Sequence, residues 1–430
     1  MIREIVLSFM ALMVSAVALA QALTASQAME RAKMLLKGKT LAEVRVTDKK
    51  VAATRGGETE AYYVFNALEG GFAVIAGDEH IDAVLAYSPD GHFGEGQLPG
   101  NVAAWLSVVT RQIEALRSGE AESKMITRAP SSHEPLMDFA WCQWDPFRMD
   151  CKVTPDGMDE QQCFPGCVAT AMAQLIYYHA KKSDAGKVAC KALPSYTYNF
   201  YDAGSNSYVN TTVPALEATT FDWDNMRGYY KKSDIDGAAP KAVAKLMHYC
   251  AVAVEAMFGT DETLAYDSKV IKAMTNYFGY PDNIQFVRSK DYAWDEFENL
   301  LRTEIEAGRP VLYAADNTLG PGGHDLIVDG WDADGRFHVN WGWDRQGEGK
   351  GKDNYNGYFM LTEMVVPNVP DQAYNGNPVA FLNFAPAESS GITATKAESC
   401  SEQIYDLQGH KLTVPPTRGV YIQGGKKRMK

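Results

Sequence analysis

The sequence lacks an excess of positive charge. Its 41 lysines and arginines are outnumbered by 54 aspartates and glutamates, and the formal net charge is −13. Nucleic acids and anionic membranes attract basic surfaces, so this balance argues against both as partners. We expect a protein that binds no nucleic acid.

Long apolar segments are missing after the N-terminus. Beyond residue 22 no stretch reaches the roughly 18 consecutive apolar residues of a membrane-spanning helix, so we expect no membrane span. In the first 22 residues, Arg3 precedes a near-continuous apolar run that ends in Ala20-Gln21-Ala22, a small-x-small cleavage pattern. This is the anatomy of a secretory signal peptide, which predicts a protein that is secreted or held at the cell surface.

Metal-binding spacing is also missing among the seven cysteines. Cys163 and Cys167 are the only tight pair, and neither a second pair nor a nearby histidine completes a set of four ligands. We therefore expect no metal and no cofactor. An odd number of cysteines in an exported protein indicates a free thiol.

What the sequence does contain divides into units. Residues 23–118 predict a small α+β unit, with one helix that begins at Ser26, two strands around a Glu-Gly-Gly turn within 61–77, and a helix over 101–119. The polar segment 118–135 is typical of an exposed linker that proteases cut. A small unit, a cleavable linker and a larger domain together suggest a zymogen, and an ordinary interdomain linker stays an open alternative.

Residues 136–385 predict a larger α+β unit. Its first half is helical over 167–180 and 239–254, and its second half contains strand-like segments: RPVLYAAD, HDLIVDGWD, RFHVNWGW, NGYFML and AFLNF. Helices followed by antiparallel strands are the α+β pattern. From about Pro386 the chain is linker-like, then gives short strands and a basic end that favour a sorting or processing signal.

Cys167 lies in the stretch FPGCVATAMAQLIYYHA, between a Pro-Gly turn and a predicted helix. Apolar residues repeat at three and four positions after it, which indicates one buried helix face. A cysteine at a helix N-terminus is close to free backbone N–H groups and the positive end of the helix dipole, which stabilise a thiolate. The local pattern leaves open whether Cys167 is a nucleophile or a buried structural cysteine.

A nucleophilic thiol needs a base, and the histidines differ in their suitability. His179 is twelve residues further along the same predicted helix, roughly 18 Å away at 1.5 Å per residue. His248 lies in a helical run and is expected to pack there. His324 instead follows a Gly/Pro-rich loop and begins an alternating strand, a good place to present a base, although an ordinary loop histidine is the alternative.

The strand pattern places the neighbours of His324. His324 and Leu326 share one face of their strand, and Asp325 is on the other face. The next strand follows a DADG hairpin turn and contains Asn340, Trp341 and Trp343. We expect Asn340 to stand near His324 and hold its imidazole, and the tryptophans to shield that bond or to pack in the core.

The order Cys167, His324, Asn340 and the words around it, GCVATAMAQLIYYH, GGHDLIVDGWD, HVNWGW and NGYF, resemble the streptopain family of papain-like cysteine peptidases. These are secreted bacterial zymogens, and the resemblance covers residues 23–385. It implies a papain-like fold, α+β in class, with a helical half that carries the nucleophile and an antiparallel β half, preceded by a small α+β propeptide domain.

The resemblance also implies the roles of single residues. Cys167 matches the nucleophile and His324 the general base, and Asn340 and Trp341 match residues that orient and cover the histidine. The segment FAWCQWDPF makes Gln143 the oxyanion-hole side chain, with the Cys167 backbone N–H as the second donor.

The same comparison implies four segments. These are a signal peptide at 1–22, an inhibitory propeptide at 23–130, a papain-like catalytic domain at 131–385 and a sorting-type tail at 386–430. The partners it implies are protein or peptide substrates and the chain's own propeptide as an intramolecular inhibitor.

The sequence departs from the family pattern at several points. Asp325 follows the histidine where the family has a small or apolar residue, and it either raises the pKa of the histidine or points to solvent. Cys151 and Cys163 bracket a polar insert and are candidates for a disulfide, although sequence does not fix the pairing. The stretch 257–260 is a candidate wall of the S2 pocket.

The function that follows is a secreted cysteine endopeptidase made as a zymogen, which cleaves itself and then other proteins. Two alternatives stay open. One is a Cys-His amidase or transpeptidase of the same fold, and the other is an inactive surface-binding protein that has kept the fold.

Overall fold

The computed structural model describes residues 22–46, 60–81, 84–94, 98–124, 131–202, 206–316, 323–343, 355–361, 364–367 and 376–386, and four short segments of the tail. Residues 1–21, which hold nearly all of the predicted signal peptide, lie outside the described residues. We call residues 22–124 the N-terminal unit and residues 131–386 the larger unit.

Both units contain α-helices. Their bounds are α1 (Ala25–Leu35), α2 (Gly100–Ser118), α3 (Cys167–Lys182), α4 (Ala238–Ala253), α5 (Val270–Asn276) and α6 (Trp294–Glu306). The first helix begins earlier than the sequence predicted, because Thr24 rather than Ser26 is its N-cap. The Thr24 hydroxyl accepts the backbone N–H of Gln27, whose side chain accepts the backbone N–H of Thr24 in return.

The strands of the N-terminal unit are β1 (Leu41–Val44), β2 (Tyr62–Ala67), β3 (Phe72–Ala76), β4 (Val84–Ser88) and β5 (Ala121–Ser123). The larger unit contains β6 (Lys152–Val153), β7 (Gln161–Gln162), β8 (Tyr196–Asp202), β9 (Ser207–Val213), β10 (Gln285–Arg288), β11 (Val311–Asp316), β12 (Gly323–Trp331), β13 (Phe337–Asn340), β14 (Gly357–Phe359), β15 (Val365–Pro367) and β16 (Val379–Leu382). The tail adds β17 (Ile404–Tyr405), β18 (Lys411–Leu412), β19 (Val420–Gln423) and β20 (Lys426–Met429) as a separate antiparallel sheet.

One sheet runs through both units. Its ten strands lie in the order β1-β2-β3-β4-β14-β13-β12-β11-β16-β10, with antiparallel pairing between neighbours. The two units join where β4 pairs with β14, and there the rings of Tyr87 and Tyr358 stack with centroids 5.2 Å apart. A second link pairs β5 with β15. The N-terminal unit therefore extends the sheet of the larger unit edge to edge.

The two faces of this sheet belong to different hydrophobic cores. On one face, Ile327 and Leu312 pack in a core with the buried residues of α3 and α4. On the other, Leu326 and Val328 pack in a core with α6 and with α2 of the N-terminal unit. Burial of apolar surface stabilises both cores by about 25 cal/mol per Å². The two faces of β12 thus meet α3 on one side and the N-terminal unit on the other.

The start of the larger unit is anchored on β12. The backbone N–H of His133 donates to the carbonyl of Trp331 at 2.8 Å, and that of Leu136 donates to the carbonyl of Asp329 at 2.9 Å. The Asp329 carboxylate, which is fully buried, accepts the backbone N–H of Met137 and is bonded to His338 Nδ1 at 2.6 Å. Hydrogen bonds therefore hold residues 133–137 against β12.

Candidate active site

Cys167 is the first residue of α3, as the sequence predicted. Gly166 before it has φ of 89°, and a Cβ there would lie 3.1 Å from the carbonyl oxygen of Thr263, so glycine is needed for both conformation and space. The backbone N–H groups of Cys167, Val168 and Asp325 act on the thiol and lower its pKa. The helix N-terminus therefore supplies the donors that a thiolate requires.

Two other effects nevertheless favour the neutral thiol. Desolvation raises the pKa of Cys167 to about 12, and the carboxyl group of Asp325 adds to the rise. The sequence predicted a lowered pKa from the helix N-terminus alone. The difference arises first because burial of the thiol outweighs the helix N-terminus, and second because the residue that faces the thiol from β12 is an acid and not a base.

Asp325 is buried beside Cys167. Its side chain is 4% exposed, and its Oδ2 has no hydrogen-bond partner among the described residues. Burial holds the pKa of this carboxyl well above its usual range, and the nearby Asp267 raises it further. The expectation that Asp325 points to solvent is wrong, because the alternation of β12 directs it onto the α3 face of the sheet.

His324 is on the opposite face of β12. It lines a cavity with Trp105, Leu326 and Trp341, on the side of the sheet that α2 covers. A Cβ added at Gly100, the first residue of α2, would lie 3.0 Å from Cε1 and 3.1 Å from Nε2 of His324. The N-terminal end of α2 therefore lies directly against the imidazole, and the sheet separates that ring from the face of Cys167.

Asn340 is on the Cys167 face. It pairs with Ile327 in the register of β12 and β13, and its Nδ2 donates to Gln174 Oε1 of α3 at 2.8 Å and to the carbonyl of Phe139 at 3.2 Å. Its Oδ1 accepts the backbone N–H of Gly342 at 3.1 Å. The structure thus brings Asn340 to α3 and does not bring it to His324, which α2 holds on the other face.

Trp341 follows Asn340 and points to the His324 side. Its ring is 3% exposed and meets Phe359 edge to face at 5.0 Å. Its carbonyl accepts the side-chain amide of Asn101 from α2 at 3.2 Å. Trp341 therefore packs in the second core and also lines the cavity that His324 lines.

Gln143 lies beside the start of α3. It is 4% exposed, and its Oε1 accepts the backbone N–H of Gly166 at 3.1 Å. With the oxygen held in this way, the amide nitrogen and its two N–H groups remain to donate. This is the placement that an oxyanion-hole donor next to the Cys167 backbone requires.

Sequence reasoning missed Gln174, which contacts both Asn340 and the segment that contains Gln143. The signal was present, because Gln174 is seven residues after Cys167 and so interrupts the apolar face of a buried helix with an amide. The other candidates lie away from this site. His179 is buried with Nδ1 at 2.8 Å from the hydroxyl of Tyr280, and His248 packs within α4.

The remaining cysteines give no cross-link among the described residues. Cys151 and Cys163 are free and buried, and burial raises the pKa of Cys163 to about 11. Among all the residues that the structure describes, no group of three or more acidic, histidine or cysteine side chains could hold a metal ion. The predicted pocket wall at 257–260 lies next to the nucleophile helix, because Met257 pairs with Leu264 and Thr263 contacts Gly166.

The family model described as "Peptidase C10 family" matches residues 141–359, which is half of the chain. The chain belongs to the peptidase C10 family. A second model, described as "Spi protease inhibitor", matches residues 20–113, ahead of the peptidase match. The predictions of a cysteine peptidase of the streptopain family and of an inhibitory N-terminal unit are confirmed.

Individual relatives agree with the family models. The chain is 28% identical over 358 residues to "Thiol protease/hemagglutinin PrtT" of Porphyromonas gingivalis, with 78% of this chain covered but only 38% of that protein. It is 26% identical over 347 residues to "Streptopain" of Streptococcus pyogenes, with 73% of this chain and 83% of that protein covered.

The fold of a solved structure is also similar. A fragment of prointerpain A from Prevotella intermedia matches with a TM-score of 0.56 and 21% identity, over 80% of this chain and 98% of the fragment. The predicted fold class, a papain-like peptidase behind a small α+β domain, is confirmed. Among the described residues no helix combines the length and the apolar character needed to cross a membrane.

Proposed function

We propose that the protein is a secreted cysteine endopeptidase made as a zymogen, and that the structure is its latent form. The observation that carries the proposal is the position of His324 against Gly100 of α2, while Cys167 is on the opposite face of the sheet. A signal peptide at 1–22, a propeptide at 23–130, a catalytic domain at 131–385 and a tail at 386–430 complete the proposal.

Latency follows from the shared sheet. The N-terminal unit adds strands beyond β14 and lays α2 over the face of β12 that carries His324. After the linker is cut and this unit leaves, the contact between Gly100 and the imidazole is lost. The N-terminal end of β12 is then free to turn, so that His324 moves to the Cys167 face and Asp325 leaves it.

The chemistry of the mature form uses Cys167 and Gln143 where they already lie, together with His324 after it has moved to their face of the sheet. Cys167 gives its proton to His324, and the thiolate attacks the peptide carbonyl. Gln143 and the backbone N–H of Cys167 stabilise the oxyanion. His324 protonates the leaving amine and then activates water, which releases the acyl group. Asn340 orients the imidazole and Trp341 covers it.

The partners follow from this reaction. Protein or peptide chains are the substrates, and the propeptide is an intramolecular inhibitor. The chemistry requires no metal and no cofactor. We assign the tail strands β17 to β20 to a sorting segment that leaves the protein secreted or at the cell surface.

The test is autoprocessing of the full chain without its signal peptide, under reducing conditions, beside Cys167→Ala. Cys163→Ala, which removes another free buried thiol, is the matched control. Wild type and Cys163→Ala should shorten by the N-terminal unit and then cleave casein, and Cys167→Ala should stay intact. If none of them cleaves casein even after trypsin cuts the linker, the peptidase assignment is wrong and the amidase or surface-binding alternatives take its place.

A further inference from the structure

Gln174 is a buried amide in the middle of the nucleophile helix. It is 1% exposed, and the neighbouring residues of α3 are buried on all sides. Its Oε1 accepts two hydrogen bonds, one from the backbone N–H of Trp141 at 3.1 Å and one from Asn340 Nδ2 at 2.8 Å. A buried polar group with two directed bonds is costly to place in a core unless both are made.

Backbone groups that can only donate or only accept a hydrogen bond fix the orientation of the Gln174 and Asn340 side-chain amides. A backbone N–H can only donate, so the atom of Gln174 that faces Trp141 must be its oxygen. That oxygen can only accept, so the atom of Asn340 that faces Gln174 must be its nitrogen. The second N–H of Asn340 goes to the carbonyl of Phe139, which also only accepts. The orientation of Asn340 therefore follows from backbone groups, directly at Phe139 and through Gln174 at Trp141.

In this orientation Asn340 can accept a further hydrogen bond but cannot donate one. Both of its N–H groups are used, whereas its Oδ1 accepts a single bond within the described part of the chain, from the backbone N–H of Gly342. A carbonyl oxygen has two lone pairs, so one more donor can be accepted. An imidazole N–H is such a donor, and a flipped amide would present N–H groups to it instead.

We propose that Gln174 is a positioning residue of the peptidase reaction, which holds Asn340 with its oxygen available to the N–H of His324 in the mature enzyme. The inference rests on the proposed function. Gln174 acts through Asn340 and touches no reacting atom. One rigid helix then carries both the nucleophile and, two turns or roughly 10.5 Å later, the side chain that orients the partner of the base.

The first test replaces Gln174 with Met in the full chain, which is allowed to mature. Methionine has a similar length but accepts no comparable hydrogen bond. We expect kcat to fall about 10- to 100-fold with KM nearly unchanged, because the base is misplaced rather than the substrate. The alkaline limb of the kcat/KM profile should move to lower pH, since the imidazolium loses an acceptor that stabilises it.

Two further variants keep the test informative if Gln174→Met folds poorly. Gln174→Glu retains an acceptor for both N–H groups, so its kcat should stay within about threefold of wild type. Gln174→Asn keeps the amide but withdraws it by one methylene group, and should lose at least about tenfold. Tyr178→Phe is the matched control, because it removes a hydrogen bond of 2.8 Å to Gly308 from the same helix. It should lower Tm without changing the pH profile.

A double-mutant cycle with Asn340→Ala decides whether the effect passes through Asn340. In that background Gln174→Met should change kcat less than about twofold, because the group it orients is already gone. An equal loss in both backgrounds, or a loss of Tm with the wild-type pH profile, overturns the proposal. An inactive wild type would instead refute the proposed function, so the two failures are distinct.

Discussion

Asp325, and not His324, is the residue of β12 that faces Cys167. The carboxyl group is buried against the thiol, while the histidine one residue earlier lies under α2 on the other face. Adjacent residues of a strand point to opposite faces, so both cannot meet Cys167 at once. In the proposed function, latency therefore depends on which of these two neighbouring residues of β12 faces Cys167.

This relationship predicts that the latent form weakens as pH rises. Burial raises the pKa of Asp325, so the latent form favours the protonated carboxyl. A group with a raised pKa stabilises the closed form at low pH, and this stabilisation is lost as pH rises from the ordinary value near 4 towards the raised one. The nearby Asp267 also disfavours the charge of this carboxyl, and the carboxyl in turn raises the pKa of the Cys167 thiol.

The measurement uses the Cys167→Ala zymogen, which cannot process itself. Its Tm should fall as pH rises from about 4 to about 8, and the added change Asp325→Asn should remove part of that fall, because an amide of the same shape does not ionise. Asp234→Asn is the control, since it removes a carboxylate from the loop 231–236, which belongs to neither β12 nor α3. Parallel Tm curves for the zymogens with and without Asp325→Asn would show that this carboxyl does not set the pH dependence.

Gly100→Ala should release the inhibitor. The new Cβ would lie 3.0 Å from Cε1 of His324, closer than ordinary van der Waals contact, so α2 or the imidazole must shift. Overpacking of this kind costs about 1–3 kcal/mol. We expect the full chain to process itself faster, followed as loss of full-length protein on a gel.

The control for this change is at the other end of the same helix. Ser118→Ala removes a hydroxyl that bonds only the carbonyl of Ala115 in the part of the chain described, far from His324. It should mature at the wild-type rate. Slower processing of Gly100→Ala would mean that the added methyl group strengthens the helix more than it disturbs the histidine.

Much of this molecule could be predicted from its sequence because the signals are local. The strand alternation at 324–329, the hairpin before 337 and the start of α3 at Cys167 are all encoded within a few residues, and the structure confirms them. The expected meeting of His324 and Asn340 depends instead on which unit covers which face of the sheet. That is a contact between residues more than 200 positions apart, and no local pattern encodes it.

The same limit explains Asp325 and Cys167. Alternation correctly placed Asp325 on the face opposite to His324, but nothing local indicated that this face is closed by α3. The lowered pKa expected for Cys167 considered the helix N-terminus and omitted desolvation, which is the larger effect. Burial from distant segments is thus the common cause of both differences.

Gln143→Glu should test the oxyanion hole with little change of shape. The carboxylate keeps an oxygen to accept the N–H of Gly166 but has no N–H to donate. Loss of one oxyanion donor costs about 100- to 1000-fold in kcat, and KM should change little. Gln161→Glu, at a half-buried position in β7, is the control. A kcat within about tenfold of wild type in the matured enzyme would remove Gln143 from the mechanism.

Thiol reactivity should separate the latent and mature forms. With a pKa of about 12 the Cys167 thiol is protonated at pH 6, and only the thiolate is alkylated efficiently by iodoacetamide. Removal of the N-terminal unit should lower this pKa, because His324 then replaces Asp325 beside the sulfur and a cation favours the thiolate. We expect slow labelling of the full chain and fast labelling of the processed chain at pH 6, measured by mass spectrometry of the peptide that contains Cys167.

The control is His324→Ala, cut in its linker by trypsin, whose processed chain should still be labelled slowly. Fast labelling of that variant would show that the helix N-terminus alone activates the thiol.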